Sequence, residues 1–189
     1  MKSENSITIR KAVADDAPLV GLAVLMALHY DETHPMYGIF LELAGREVSQ
    51  YSYRNALVAE VDNTPAGVVV AYDGARLDEL RTQTLNIIHR YNPNFEFSED
   101  ETEAGEYYLD SLCVLPQYRK MGIATRLIKA LYDKISAEGH TRLGLIVDFD
   151  NPSAERLYTQ IGFKRVGQRT FLGHKMWHLV LEQCIIHNL

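Results

Sequence analysis

Residues 107–124 read YYLDSLCVLPQYRKMGIA, and this stretch decides the fold. Its first part, Tyr107 to Val114, is dominated by aromatic and apolar residues and predicts a buried β-strand. Pro116 ends that strand, because proline cannot donate to a strand ladder. An amphipathic pattern follows within a few residues and predicts a helix. The stretch is therefore a strand, a tight turn and a helix start.

The turn carries the features of a phosphate-binding site. Gly122 and Ala124 have little or no side chain, so the unpaired N–H groups of the first helical turn can approach a phosphate. Arg119 and Lys120 add positive charge at the same corner. A glycine here could instead only relieve crowding between the helix and the sheet. The chain downstream of the turn separates these two interpretations.

The helix that follows is expected to pack on the sheet through one apolar face and to end at Gly139. Its apolar residues recur at three- and four-residue spacing, and they are Ala124, Leu127, Ile128, Leu131 and Ile135. Leu143 to Asp148 then reads as a second strand. Because strand–helix–strand crossovers are right-handed, the phosphate site should open at the C-terminal edge of the sheet.

A second motif follows this strand. Its residues are Asn151, Ala154, Tyr158, Gly162 and Phe163, in the pattern Asn-x-x-Ala-x-x-x-Tyr-x-x-x-Gly-Phe. Together with the pattern Arg-x-x-Gly-x-Ala at 119–124, it resembles the GNAT superfamily of N-acetyltransferases over residues 107–165. A Rossmann dinucleotide site is the rival interpretation, but it requires Gly-x-Gly-x-x-Gly and an acidic residue about twenty positions later. This chain has neither.

The resemblance implies an α/β fold with a mixed, mainly antiparallel, twisted central sheet flanked by helices. A splayed pair of parallel strands would bind acetyl-coenzyme A (acetyl-CoA) as cosubstrate. The residues that this resemblance assigns to coenzyme binding are Leu112, Cys113, Val114, Arg119, Lys120, Met121, Gly122, Ile123, Ala124, Thr125, Asn151 and Tyr158. Asparagine before proline is also a good helix cap, so Asn151 could serve both purposes.

Tyr158 is our candidate for the general acid. A phenol with a pKa of about 10 can protonate a thiolate whose thiol has a pKa near 8.5, because the transfer becomes favourable as the C–S bond breaks. The alternative is an ordinary aromatic residue on a helix face.

The general base is expected on the first strand. Glu106, Tyr108 and Asp110 alternate on one face, and either carboxylate could accept the proton of the amine directly or through water. Asp110 could instead form only a hydrogen bond across the sheet, and Glu106 could belong to a solvated loop. A relay through water alone is a further alternative.

Covalent and metal chemistry are disfavoured. Cys113 has no evident His and Asp partners, so we do not expect an acyl-cysteine intermediate. His174 and His178 lie four residues apart but lack further ligands, so we expect no metal site. Cys113 and Cys184 are most simply buried thiols in a reducing compartment.

Composition indicates a cytoplasmic protein. The 189 residues carry a net charge of −6, which argues against nucleic acid as a partner. The longest apolar run, 19–28, is too short to span a membrane. The acidic stretch 99–106 is expected to be a solvated, mobile loop, with attraction of a cationic substrate as the alternative.

The remaining chain predicts a single N-acetyltransferase domain, residues 1–189. A strand at 7–11, a helix from Asp15 or Asp16 to about Ala27, an antiparallel hairpin with a four-residue turn at 62–65, and two final strands complete it. Residues 30–53 are the expected substrate region, and Tyr51, Tyr53 and Trp177 are candidate pocket walls or core packing. Residues 74–105 are an insertion that either covers the acceptor side of the sheet or forms a homodimer contact.

We therefore expect direct acetyl transfer from acetyl-CoA to a primary amine, first a small cationic one, because of the acidic strand face. A protein N-terminus or lysine is the second choice. A non-catalytic acyl-CoA-binding sensor or partner protein is the alternative of another class, and the presence of Asn151 and Tyr158 argues against it.

Overall fold

A computed structural model describes residues 6–97 and 99–182 of the chain. Cys184, expected to be a buried thiol, lies outside the described residues. The elements are β1 (Ile7–Lys11), α1 (Ala17–Ala27), α2 (Tyr37–Ala44), β2 (Ala56–Val61), β3 (Thr64–Asp73), α3 (Leu77–Ile88), β4 (Tyr107–Val114), α4 (Ile123–Ala137), β5 (Arg142–Asp148), α5 (Pro152–Ile161), β6 (Lys164–Phe171) and β7 (His174–Glu182).

Seven strands form one sheet in the order β1-β2-β3-β4-β5-β7-β6. Every neighbouring pair is antiparallel except β4 and β5, which are parallel. The crossover between them is α4, as the strand–helix–strand pattern predicts. The predicted fold class is confirmed.

The two faces of the sheet have separate cores because side chains alternate along each strand. On one face, Val69 and Leu109 join the buried residues of α4. On the other face, Val68 and Val70 pack with Val20 of α1. The face covered by α4 and α5 is called the helix-α4 face below, and the face covered by α1, α2 and α3 is called the helix-α1 face.

The apolar stripe of α4 lies where its periodicity predicts. Leu127, Ile128, Leu131 and Ile135 are all buried against the helix-α4 face. The helix ends at Ala137, and Gly139 follows with φ +91°, a left-handed conformation that favours glycine.

The expected four-residue turn of the first hairpin is wrong. Asp62 and Asn63 both have positive φ, and Val61 pairs directly with Thr64. A two-residue turn with both φ values positive matches the right-handed twist of the flanking strands. Thr64 and Pro65 consequently belong to β3.

The segment 74–105 packs on the helix-α1 face of the sheet. Leu77 and Leu80 of α3 bury the rings of Tyr72 and Tyr108. Glu101 and Glu106 are 1% and 2% exposed, so the expected solvation of the acidic stretch is wrong for these two residues. No helix within the described ranges is long and apolar enough to cross a membrane.

Candidate functional site

The two parallel strands pair only at their beginnings. Tyr107 lies opposite Leu143 and Tyr108 opposite Gly144, and no pairing follows along either strand. Beyond these pairs, β4 and β5 separate and leave a gap that opens toward their C-terminal ends. Main-chain groups of β4 that face this gap have no partner strand.

One hydrogen bond shows to which side each residue of β4 directs its N–H and C=O groups. The N–H of Leu115 donates to the carbonyl of Ala66 in β3 over 2.9 Å. Successive residues of an antiparallel ladder point to opposite sides, so Cys113 also directs its N–H and C=O toward β3. Leu112 and Val114 direct theirs toward the gap. Arg119 Nε donates to the Val114 carbonyl over 3.2 Å, which leaves the N–H groups of these two residues facing the gap.

The turn before α4 presents a row of free N–H groups. Lys120 and Gly122 have φ values of +64° and +75° and turn the chain into the helix. None of the N–H groups from Lys120 to Thr125 donates a hydrogen bond within the described chain. Free N–H groups at a helix N-terminus attract anions, and the helix dipole strengthens this attraction.

Glycine at position 122 is required by its backbone angle and not by packing. A Cβ atom added to Gly122 meets nothing within 4 Å, so the crowding interpretation does not apply there. The crowded position is Gly67 of β3, where a Cβ would lie 2.8 Å from the Cys113 carbonyl oxygen and 3.2 Å from Ile123 Cγ2. Gly67 lets α4 begin close to the sheet, a role that the sequence motif did not reveal.

The second motif lies at the start of α5, next to the open end of the gap. Asn151 caps the helix, because its Oδ1 accepts hydrogen bonds from the Ala154 N–H (3.2 Å) and the Ser153 hydroxyl (3.0 Å). Its Nδ2 group donates to no described residue. Asn151 can therefore cap the helix and still donate to a ligand in the gap.

Tyr158 is half-buried on the helix-α4 face, with its ring 5.6 Å from that of Phe163. Burial raises the pKa of its phenol to about 12, so the hydroxyl stays protonated at neutral pH. This hydroxyl has no hydrogen-bond partner among residues 6–97 and 99–182. A phenol of this kind can donate a proton to a group that becomes basic nearby.

Asp110 occupies a β-bulge in β4. Val70 pairs with Ser111 and Ala71 with Leu109, so Asp110 is the extra residue and has no partner in β3. Ser111 Oγ donates to Asp110 Oδ1 over 2.7 Å. Burial raises the pKa of this carboxyl to about 7, the Ser111 hydrogen bond lowers it and the negative charge of Glu101 raises it. A carboxylate with such a pKa can exchange protons near neutral pH.

Glu106 lies at the closed end of the strand pair. Its Oε2 is 2.8 Å from Nε2 of His178, and both side chains are buried. The carboxyl sits over Gly144, where an added Cβ would come within 2.0 Å of Glu106 Cδ. Glu106 precedes Asp110 by four residues, about 13 Å along an extended strand. The face expected to carry Glu106, Tyr108 and Asp110 therefore has its two carboxyls far apart.

The candidates for covalent and metal chemistry, Cys113 and His174, contact side chains that do not form a reactive or metal-binding group. Cys113 points to α1, its Sγ lies 3.5 Å from Met26 Sδ, and burial raises the pKa of its thiol. His174 Nδ1 is 3.0 Å from Asp148, away from the His178 pair. Within the described ranges, no cluster of three or more His, Cys, Asp or Glu side chains could hold a metal ion.

The three aromatic candidates separate. Tyr51 is buried on the helix-α1 face, and Tyr53 packs near α1. Trp177 lies on the other face, where its ring stacks 4.1 Å from Phe149 and the Arg165 guanidinium lies 3.9 Å above it. Trp177 is therefore a packing residue, and only Tyr51 lies near Asp110.

Sequence reasoning missed a buried polar network on the helix-α1 face. Glu101 Oε1 accepts hydrogen bonds from Tyr72 OH (2.8 Å) and Gln50 Nε2 (2.7 Å). Arg81 of α3 forms an ion pair with the other oxygen of Glu101. No local pattern signals these contacts, because the residues come from four separate parts of the chain.

Comparisons of the sequence with known proteins find acetyltransferases. The family model described as "Acetyltransferase (GNAT) family" matches residues 25–163. An acetyltransferase of Agrobacterium fabrum is 31% identical over 111 residues, 58% of this chain and 80% of the relative. A [ribosomal protein bS18]-alanine N-acetyltransferase of Haemophilus ducreyi is 30% identical over 94 residues, 49% of this chain and 65% of the relative.

Solved structures share the architecture. A crystal structure of an acetyltransferase superposes with a TM-score of 0.75 at 30% identity, covering 93% of this chain and 98% of the other. A Salmonella typhimurium protein of this kind, solved with its cofactor acetyl-CoA, superposes with a TM-score of 0.61 at 18% identity, covering 94% of each chain. At that identity the second likeness concerns the fold alone.

Proposed function

Because the chain belongs to the GNAT family of acetyltransferases, and is therefore an acyltransferase, we propose that it transfers an acetyl group directly from acetyl-CoA to a primary amine. The observation that carries this proposal is the gap between β4 and β5, with Asp110 of β4 on the helix-α1 face of the sheet and Tyr158 of α5 on the helix-α4 face. One side chain can remove a proton, and the other can supply one.

The coenzyme would bind along the gap. The free N–H groups from Lys120 to Thr125 suit its pyrophosphate, and the N–H group of Val114 suits an amide carbonyl of its pantetheine arm. The N–H group of Leu112, two residues earlier, suits the thioester. Asn151 Nδ2 can donate to the same arm. A structural neighbour solved with acetyl-CoA supports this choice of cosubstrate. We do not include Cys113 among the proposed coenzyme-binding residues, because its main-chain groups face β3 and its side chain faces α1.

The proposed reaction assigns one proton transfer to each side chain. Asp110 accepts a proton from the amine, either directly or through a water molecule, while the amine nitrogen attacks the thioester carbonyl. The Leu112 N–H can stabilise the oxyanion that develops. Tyr158 then gives its proton to the sulfur as the C–S bond breaks, and the free thiol leaves. Glu106 takes no part in the proposed reaction, because its carboxyl is buried in contact with His178.

We propose a small cationic amine as the acceptor. Asp110 is surrounded by buried phenols and a second carboxylate, Glu101, and such a site favours a positive charge. In this proposal the chain is a single domain and the segment 74–105 is an insertion within it. Its helix α3 covers the same face as Asp110 and restricts the room for a polypeptide. A protein N-terminus is the second candidate, since one relative is named as a ribosomal-protein alanine N-acetyltransferase.

We also propose that the protein is cytoplasmic. Cys113 is a free, buried thiol, and free thiols persist in reducing compartments such as the cytoplasm.

The test is a thiol-release assay. The protein is mixed with acetyl-CoA and a panel of polyamines, amino acids, aminoglycosides and short peptides, and coenzyme binding is measured in parallel by calorimetry. Thiol release stimulated by one class of amine supports the proposal and identifies the acceptor class. Coenzyme binding without release across the panel favours a non-catalytic sensor, and absence of binding contradicts the proposal.

A further inference from the structure

A buried group of side chains faces Asp110 from the helix-α1 side, and we call it the tyrosine compartment. Its members are Gln50, Tyr51, Tyr72, Glu101 and Tyr108, all buried. The rings of Tyr72 and Tyr108 meet edge to face at 5.6 Å. Burial raises the pKa of the phenols of Tyr51, Tyr72 and Tyr108, and the charge of Asp110 raises each further. All three phenols therefore lie within the field of the Asp110 carboxylate.

The orientation of the Gln50 amide follows from its partners. Its Nε2 donates to Glu101 Oε1 (2.7 Å) and to Tyr72 OH (3.2 Å). A carboxylate only accepts hydrogen bonds, so the nitrogen has to face Glu101 and the oxygen has to face the other way.

That oxygen is left without a donor. Gln50 is fully buried, and its Oε1 has no hydrogen-bond partner in the described chain. An unsatisfied buried acceptor destabilises the folded protein, because it has lost its hydrogen bonds to water without replacement. A ligand that brings an N–H group into the compartment would remove this cost.

The charges of the compartment point to the same ligand. Arg81 pairs with both Glu101 and Asp100, so its charge is already compensated. His178, on the neighbouring strand β7, is engaged by Glu106. Among the described residues, the Asp110 carboxylate forms a hydrogen bond with the Ser111 hydroxyl and no ion pair. When Asp110 is ionised, the compartment holds one negative charge that no side chain neutralises.

We infer that the acceptor enters the tyrosine compartment as a protonated primary amine and donates an N–H hydrogen bond to Gln50 Oε1, which makes Gln50 the residue that recognises the N–H group of the acceptor. The inference rests on the acetyl transfer proposed above. The ammonium group gives one proton to Asp110, which passes it to solvent, and the neutral amine attacks the thioester. As the amine attacks, Asp110 accepts a second proton from the nitrogen and passes it to solvent, and Tyr158 regains one proton from solvent after the thiol has left.

Two cations of equal charge separate hydrogen bonding from charge. n-Butylammonium carries three N–H donors, whereas n-butyltrimethylammonium has none and can only make charge and cation–π contacts. Their binding to the coenzyme A-loaded protein is measured by calorimetry. We expect wild type to bind n-butylammonium at least about tenfold more tightly, the strength of a hydrogen bond to a charged group.

Two variants complete the experiment. Gln50→Leu should weaken n-butylammonium binding by about tenfold or more and leave the quaternary cation unchanged. Thr84→Val is the matched control, since it removes the 3.2 Å hydrogen bond from the Gln50 main-chain N–H to a buried residue outside the compartment but keeps Gln50 Oε1. It should change the binding of either cation by less than about threefold. Thermal unfolding verifies that both variants are folded.

Three results would overturn the inference. Wild type could fail to prefer the primary ammonium, Gln50→Leu could bind it normally, or both variants could lose equal affinity for both cations. Because calorimetry needs no acetyl transfer, the two proposals fail separately. Gln50-dependent amine binding without acetylated product contradicts the proposed function, and acetylation that is independent of Gln50 contradicts only this inference.

Discussion

The hydroxyl of Tyr72 in β3 donates a 2.8 Å hydrogen bond to the carboxylate of Glu101, which lies between α3 and β4. This contact fastens the segment 74–105 to the centre of the sheet. Gln50 and Arg81 supply the remaining partners of the carboxylate. A buried carboxylate needs such partners, because its desolvation costs several kcal/mol. The covered face is the one on which Asp110 lies.

Glu101→Ala should destabilise the fold by about 3–5 kcal/mol, because it leaves the half-buried Arg81 without its buried partner. The measurement is urea-induced unfolding. Glu103→Ala, in the same segment, is the matched control. Its carboxylate is 67% exposed and contacts Arg169 at 3.4 Å, so the loss should stay below about 1 kcal/mol. Equal losses in the two variants would contradict the anchoring role of Glu101.

Asp110→Asn should lower kcat by about 10²-fold or more, the usual contribution of a general base, with little change in coenzyme affinity. The amide keeps the shape of the side chain but cannot take up a proton. Glu106→Gln serves as the comparison, since it alters a carboxyl that directly precedes the same strand and contacts His178. Glu106→Gln should lower the free energy of unfolding and leave kcat nearly unchanged. If Glu106→Gln removes activity and Asp110→Asn does not, the base has been assigned to the wrong residue.

The pH profile should report the same carboxyl. Burial raises the pKa of Asp110 to about 7, and a general base acts only when it is ionised. Activity, measured as kcat/KM, should therefore be low below pH 6 and rise through about pH 7. Asp110→Asn should lack this inflection and keep only the titration of the amine substrate. A wild-type profile without an inflection near 7 would mean that Asp110 does not limit the rate.

Tyr158→Phe should lower kcat by about 10–100-fold and leave the coenzyme dissociation constant unchanged, because only the proton donor is lost. The ring remains to pack against Phe163. Since the pKa of Tyr158 is raised to about 12, no loss of activity from its ionisation is expected at pH 9. The loss should shrink for a thioester whose leaving thiol is more acidic. An unchanged kcat in the variant would show that another group protonates the sulfur.

Gly122→Asp should weaken acetyl-CoA binding by about 100-fold or more, since a carboxylate would repel the pyrophosphate and a non-glycine residue is strained at φ +75°. Gly139→Asp is the control at the opposite end of α4. Its φ is +91° and it has equally open surroundings, so it carries the backbone strain without the repulsion. Calorimetric titration with acetyl-CoA compares the two. Similar binding by both variants would exclude the turn at 119–124 as the pyrophosphate site.

Local features were predictable from the sequence. The spacing of Leu127, Ile128 and Leu131 reports which face of α4 is buried, because helix periodicity depends only on neighbouring residues. The order of β4, α4 and β5 follows from the same kind of pattern and from the handedness of crossovers. The two-residue turn at Asp62 and Asn63 was missed because Thr64 and Pro65 also have turn chemistry.

Long-range features were not predictable. Glu101 belongs to an acidic stretch that resembles a solvated loop, and only the three-dimensional structure brings it to Gln50 and Tyr72. Strict alternation along β4 would also place Leu112 and Cys113, which follow Asp110, on the wrong faces, because a bulge depends on the partner strand β3 and leaves no mark in one strand's own sequence. The contact between Glu106 and His178 likewise joins distant parts of the chain and has no local pattern in the sequence.

The most direct test follows the acetyl group itself. The protein is incubated with spermidine and acetyl-CoA that carries ¹³C in its acetyl group, and the products are identified by mass spectrometry for wild type and for Asp110→Asn. The account predicts ¹³C-acetylated amine in amounts equal to the released thiol, and much less of both from the variant. Label found only in free acetate, or equal yields of acetylated amine from both proteins, would contradict it.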